Sequence, residues 1–194
     1  TLGKPGRTKW PRIQADHLGR HLIVLAGHVL YDAPAIKNVI VIDDNNGPQQ
    51  VNKAQILEVL GATVRLGENG SLPDADLLVV SPGLPPSASV IQAALAAGMP
   101  VWGELELAWR IRDPHGAPWL FVTGTNGKTT TTLMLASMFR AAGLRTDAVG
   151  NIGVSLVSAV MDPEPFDVLA VEVGAPQLPF VHTVSPFSAA CLNL

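Results

Sequence analysis

The stretch Val122-Thr123-Gly124-Thr125-Asn126-Gly127-Lys128-Thr129-Thr130 restricts the possible folds of this chain more than any other. An apolar strand pattern, Trp119 to Val122, runs into it, and a helical pattern runs out of it. In that helix Leu133, Met134, Leu135, Met138 and Phe139 are spaced for one buried face, and Gly143 ends it. Strand, glycine loop and helix in this order are the context of a phosphate-binding loop. Glycines let the backbone wrap closely around an anion, and the helix start aims free N–H groups and a positive dipole end at it. Lys128 is placed to reach terminal phosphates, and the Thr129 hydroxyl to ligate Mg²⁺. The commonest form of the motif begins with a glycine where Val122 stands, so this is the shorter Gly-Thr-Asn-Gly-Lys-Thr-Thr form. The competing reading is a glycine-rich turn with a solvated lysine. Strand, lysine, threonine and helix all fall in place against it.

Ligands of open α/β sheets bind outside the carboxyl ends of the strands. Three further features belong there: Ser81-Pro82-Gly83 after the strand pattern Leu77–Val80, Asn151 in Gly150-Asn151-Ile152-Gly153, and Glu172 at the end of Phe166–Glu172. Glu172 is either a solvated acid that ends a strand or a neighbour of a Mg²⁺ held by Thr129. The phosphate loop in the same half favours the second, because Mg²⁺ takes a few carboxylate or hydroxyl oxygens plus water.

The N-terminal half reads as a second α/β unit. Residues 1–20 carry five cations against Asp16, with Gly and Pro between them, and read as a basic flexible leader. His21–Gly27 and Asn38–Asp44 read as buried strands, the second ending in Asp43 and Asp44. Those carboxylates either meet a ribose or a uracil-type base or simply end the strand. A dinucleotide unit also starts as strand, glycine turn, helix, strand and acid, but the stretch between Gly27 and Asp43 is short and contains Pro34, so a full crossover helix hardly fits. Gln49–Leu60 reads as an amphipathic helix, Thr63–Leu66 as a strand, Ser89–Ala97 as a helix closed by Gly98, Pro100–Trp102 as a strand and Glu104–Ile111 as a helix. Asp113–Pro118 is a linker, which divides the chain into 21–113 and 114–194. Beyond the phosphate loop, Arg145–Val149 is a strand, Ser155–Met161 a short helix and Phe187–Leu194 a last apolar strand.

Composition excludes several classes. A hydrophobic content of 47% suits a globular α/β protein, and a net charge of −3 makes no case for nucleic acid. No apolar run approaches the ~20 residues of a membrane span. Cys191 is the only cysteine, which suits a reducing cytoplasm. The five histidines, Trp102 with Trp109, and Met134 with Met138 read as packing or surface residues, the methionines as helix core. The first residue is Thr, so the start is either processed or cut from a longer gene.

Gly124–Thr130 resembles the ATP loop of the Mur ligases, which build the peptidoglycan stem peptide. With Gly150-Asn151-Ile152-Gly153, Ser81-Pro82-Gly83 and Trp102-Gly103-Glu104-Leu105-Glu106-Leu107, the chain is most similar to their D-glutamate-adding branch, over about Val39 to Leu194. The resemblance implies an α/β fold: a Rossmann-like UDP-substrate domain, then an incomplete phosphate-loop domain, the central one of these ligases, with parallel strands. It implies ATP contacts at Gly124, Thr125, Asn126, Gly127, Lys128, Thr129 and Thr130, and Mg²⁺ contacts at Thr129 and Glu172. It implies substrate contacts at Asp43, Asp44, Gly83 and Asn151, with Lys128 and Glu172 as catalytic groups. The implied substrates are UDP-N-acetylmuramoyl-L-alanine and D-glutamate, joined through an acyl phosphate.

Three departures accompany the resemblance. Ala26–Ile36 has no match to the glycine loop that holds the uridine diphosphate in these ligases. Their Glu-Leu-Ser-Ser-Phe-Gln-Leu stretch stands here as Glu172-Val173-Gly174-Ala175-Pro176-Gln177-Leu178, with both serines replaced. Cys191-Leu192-Asn193-Leu194 precedes the point at which they continue with a metal-supporting histidine and lysine and an amino-acid domain. The expectation is a truncated relative, inactive alone; the alternative is a noncatalytic nucleotide-binding or interaction fragment. An unrelated small phosphate-loop kinase is disfavoured by the short loop and by the lack of an arginine-rich lid.

Overall fold

The computed structural model describes residues 22–25, 39–43, 63–66, 75, 77–81 and 84–193, the first three segments by backbone pairing alone. The leader, the stretch from Gly27 to Asn38, the Gln49–Leu60 helix, Asp44, Pro82, Gly83 and Leu194 lie outside the described residues.

Five short strands form the first sheet: β1 (Leu22–Leu25), β2 (Val39–Asp43), β3 (Thr63–Leu66), β4 (Leu77–Val80) and β5 (Val101–Gly103). All pair in parallel, in the order β3-β2-β1-β4-β5. The order reverses between β1 and β4, the kind of position at which such sheets open a crevice. β4 is buried at every residue, as an uninterrupted apolar run in a parallel sheet covered on both faces requires. Helix α1 (Ser89–Ala96) lays Ile91 and Ala94, one turn apart, onto this core beside Leu78, Val80 and Val101. It ends as its sequence predicts: Gly98 adopts φ +71°, and its N–H donates to the Leu95 carbonyl at 3.0 Å.

Helix α2 (Glu104–Ile111) leaves β5 directly. The second sheet follows, with β6 (Trp119–Thr123), α3 (Lys128–Ala141), β7 (Thr146–Gly150), α4 (Leu156–Val160), β8 (Val168–Glu172), a 3₁₀ turn (Ala175–Phe180) and β9 (Ser188–Cys191). Its parallel order is β7-β8-β6-β9.

One apolar cluster joins Leu77 and Val79 of β4 to Leu105, Leu107 and Ala108 of α2, Trp119 of β6, Leu156 and Val157 of α4, and Leu169 and Val171 of β8. Trp102 and Trp109 pack against this cluster, as expected, and Trp109 meets Trp119 edge to face with ring centroids 5.0 Å apart. Two buried carboxylates of α2 pin this seam. Glu104 Oε1 accepts from the Ser155 hydroxyl (2.9 Å) and the Leu156 N–H (2.8 Å) at the start of α4. Glu106, fully buried, accepts from the N–H groups of His182 and Thr183 (both 2.8 Å), the Thr183 hydroxyl (2.6 Å) and Arg110 Nε (2.6 Å). Burial pushes the Glu106 carboxyl upward, but the bonds from Thr183, His182 and Arg110 outweigh it and hold its pKa at about 2.

Helix α3 departs from expectation. Its fully buried residues are Thr132 and Ala136, while Leu133, Met134 and Met138 are 48%, 60% and 65% exposed. Met134 and Met138 are therefore not helix core. Small residues let α3 approach β7 and β8 closely, with Ala136 against Ala148 and Ala170 and Leu135 at the margin. The Thr132 hydroxyl satisfies itself on the Lys128 carbonyl at 2.9 Å. Threonine and alanine carry little apolar weight, so an apolar count aims the helix at the wrong face.

Candidate functional site

The carboxyl ends of β6, β7, β8 and β9 converge on one cleft of about 560 Å³, lined by the glycine loop, Asn151, Gly174–Leu178, Cys191 and Asn193. β6 runs into the loop, and Thr123 anchors the exit by donating its hydroxyl to the Val173 carbonyl at 2.9 Å. Gly124 at φ +137° and Gly127 at φ +81° take conformations that L side chains rarely adopt. Gly127 thereby turns the chain into α3, whose first residue is Lys128. The N–H groups of that first turn have no helical carbonyl ahead of them.

Lys128 Nζ donates to the carbonyls of Gly124 (2.7 Å) and Thr125 (3.1 Å), so its ammonium lies over the loop, half-buried. Thr129 Oγ1 donates to Glu172 Oε2 at 2.7 Å, and Asn151 Nδ2 donates to Glu172 Oε1 at 3.0 Å. Glu172 is only 2% exposed, so a buried carboxylate with two donors lies behind Asn151 of the cleft wall. Gly150 makes this geometry available. A Cβ there would come within 2.5 Å of the Glu172 carbonyl oxygen, the oxygen that accepts from Asn151 N at 3.0 Å.

Thr129 and Glu172 fit a magnesium ion by donor chemistry, since both present hard oxygens and sit at hydrogen-bond distance. Among the described residues no group of three or more His, Cys, Asp or Glu side chains is placed to hold a metal. The pair therefore suits an ion that takes its remaining ligands from phosphate and water.

The sequence-based site residues divide into two sets. Gly124, Thr125, Lys128, Thr129, Asn151 and Glu172 come together; Asn126 belongs to the same loop, and Thr130 lies exposed in the same first turn of α3. Asp43 ends β2 in the other sheet, where it pairs with Leu66. Asp44 and Gly83 lie outside the described residues.

Two residues join the site without a role assigned from the sequence. Gln177, 3% exposed, accepts from Gly174 N at 2.8 Å through Oε1, while its Nε2 has no hydrogen-bond partner. An unpaired buried donor on a cleft wall is costly unless a ligand oxygen meets it. Asn193 lies against the glycine loop itself, with its Oδ1 accepting from the N–H groups of Thr125 (2.8 Å) and Asn126 (2.9 Å). The sequence pattern puts Asn193 inside the Phe187–Leu194 strand, but that strand ends at Cys191, and the chain leaving it brings Asn193 to the loop.

Residues 122–194 match the Mur ligase middle domain. The chain is 51% identical over 170 residues to the UDP-N-acetylmuramoylalanine–D-glutamate ligase of Streptomyces avermitilis, covering 87% of the chain and 36% of that protein. It is 49% identical over 191 residues to the ligase of the same name from Streptomyces coelicolor, covering 93% of the chain and 40% of that protein. Its fold is similar to a solved structure, the UDP-N-acetylmuramate:L-alanyl-gamma-D-glutamyl-meso-diaminopimelate ligase from Neisseria meningitides, at a TM-score of 0.53 and 24% identity, covering 90% of the chain and 60% of that structure. The chain thus spans well under half the length of these curated relatives, and what it shares with the Mur ligases is the middle-domain match of residues 122–194 and about half of the aligned residues of these two proteins.

Proposed function

We propose that residues 114–194 form the phosphate-loop part of an ATP-dependent ligase that adds D-glutamate to UDP-N-acetylmuramoyl-L-alanine. The observation that carries this reading is the meeting of a glycine loop at a helix start with the Thr129–Glu172 pair, 2.7 Å apart. The phosphates of ATP would lie against the first-turn N–H groups of α3, with Lys128 supplying charge. Thr129 and Glu172 would hold Mg²⁺, which when bound neutralises phosphate charge. The orphaned Gln177 Nε2 and the Asn151 carboxamide give the facing wall polar groups for the second substrate.

Residues 21–113 are read as a Rossmann-like domain that binds the uridine nucleotide, with Asp43 at the end of β2 and with Asp44 and Gly83 read from the sequence as further contacts. The order β3-β2-β1-β4-β5 supports this reading. In the complete reaction a substrate carboxylate oxygen would attack the γ-phosphorus and release ADP. The amine of D-glutamate would then attack the acyl carbon and release phosphate. This chemistry belongs in the cytoplasm, where both nucleotides are found; among the described residues no helix is long and apolar enough to cross a membrane.

Calorimetric titration of the chain with ATP, ADP and adenosine, each with and without Mg²⁺, tests the reading. Affinity that rises with phosphate number, and for ATP with Mg²⁺, is the expected result. Adenosine binding as tightly as Mg-ATP would exclude a phosphate loop.

A further inference from the structure

We propose that Asn193 is a positioning residue of the glycine loop: its carboxamide holds Thr125 and Asn126 in the shape that leaves the start of α3 open to phosphate. The inference rests on the phosphate-loop reading and goes beyond it, because Asn193 belongs to no part of the loop motif.

Three hydrogen bonds carry it. Asn193 Oδ1 accepts from the N–H groups of Thr125 and Asn126 at 2.8 and 2.9 Å, and Asn193 Nδ2 donates to the Asn126 carbonyl at 3.1 Å. One carboxamide thus satisfies two loop donors and one loop acceptor, a pattern that only Asn or Gln can supply. Backbone packing is independent support. Leu192 N donates to the Thr123 carbonyl at 3.0 Å, and a Cβ on Gly124 would lie 3.2 Å from the backbone nitrogens of both Leu192 and Asn193. The loop entry is therefore moulded against the segment that leaves β9.

The consequence concerns which donors remain for a ligand. The Thr125 and Asn126 N–H groups are taken by Asn193, and the carbonyls of Gly124 and Thr125 by Lys128. A phosphate is left with the first-turn N–H groups of α3. Without Asn193 the two loop N–H groups turn to water and the loop samples other shapes. Affinity then falls by the fraction of time spent outside the competent one.

The test uses the full chain, Mg-ATP and three variants. Asn193→Ala should weaken Mg-ATP binding about tenfold and speed hydrogen exchange at the Thr125 and Asn126 amides, with little change in Tm. Asn193→Asp keeps the size and the acceptor but loses the donor and adds charge. It should leave both amides protected while still weakening Mg-ATP, and it decides the matter if the alanine variant unfolds. Ser188→Ala, at the far end of β9, should change nothing. Unchanged affinity in a folded Asn193 variant overturns this inference alone. A parent chain that binds no Mg-ATP overturns the phosphate-loop reading and this inference with it.

Discussion

The Thr129 hydroxyl donates to Glu172 across 2.7 Å, joining the first turn of α3 to the end of β8. The contact closes a separation of 43 residues, and Asn151 Nδ2, at 3.0 Å from the other carboxylate oxygen, completes it from β7. Two strand ends of one parallel sheet and the helix start that follows a third strand thus deliver their polar groups to one point.

Thr129→Val keeps the shape of the side chain and removes the hydroxyl. The Glu172 carboxylate, nearly sealed from water, would lose one of its two donors, at a cost of about 1–3 kcal/mol in stability. The gain in ATP affinity on adding Mg²⁺ should shrink about tenfold. Titrations of the variant at matched ATP, with and without the metal, measure this; an undiminished gain would show that Thr129 does not contribute to metal binding.

Gly150→Ala places a methyl group 2.5 Å from the Glu172 carbonyl oxygen in a backbone at φ +98°. The left-handed conformation alone costs ~1–2 kcal/mol for an L residue, and the contact adds to it. Thermal unfolding should shift down by at least about 4 °C for a chain of this size. A Tm equal to the parent's would mean that the Gly150–Asn151 turn relaxes freely.

Glu106 makes stability depend on acid. Its pKa is about 2 in the folded chain against an ordinary value of 4.5, so the unfolded chain binds its proton first as pH falls. The stabilisation is complete above pH 4.5 and disappears as pH drops toward 2, amounting to about 3 kcal/mol in all. Glu106→Gln also turns an amide N–H₂ toward the donors of His182 and Thr183. The variant should be less stable at pH 7 and should lose less of its stability between pH 5 and pH 3. Parallel denaturant curves for both proteins across that range would contradict the assignment.

Helix α3 provides a packing test. Ala136, fully buried against Ala148 and Ala170, should tolerate no growth, and Ala136→Leu should cost about 1–3 kcal/mol. Met138→Gln, at a position 65% exposed, should change the stability of this chain by less than ~0.5 kcal/mol. Equal losses in the two variants would place the buried face where the apolar count puts it.

The sequence is most informative where local chemistry is strict. Gly124 to Thr129 dictates strand, loop and helix by itself, and apolar runs such as Leu77–Val80 and Val168–Glu172 leave little choice but buried parallel strands. It is least informative where partners lie far apart in the chain. Asn193 reaches Thr125 and Asn126 over 68 and 67 residues, and Glu106 reaches Thr183 over 77. No periodicity records such pairings. The buried face of α3 escapes pattern reading because close approach to a sheet selects small residues, whereas periodicity rewards large apolar ones.

The most direct test of the phosphate-loop claim is the affinity of Mg-ATP for the parent chain and for Lys128→Ala, measured by calorimetry at fixed ionic strength. Lys128 is the one cation of the loop, and its ammonium already lies over the Gly124 and Thr125 carbonyls. A charge-assisted contact to phosphate is worth roughly 1.5–3 kcal/mol, so the variant should bind about ten- to a hundredfold more weakly while remaining folded. Equal affinity in the two proteins would contradict the account and reduce the loop to a glycine-rich turn with a solvated lysine.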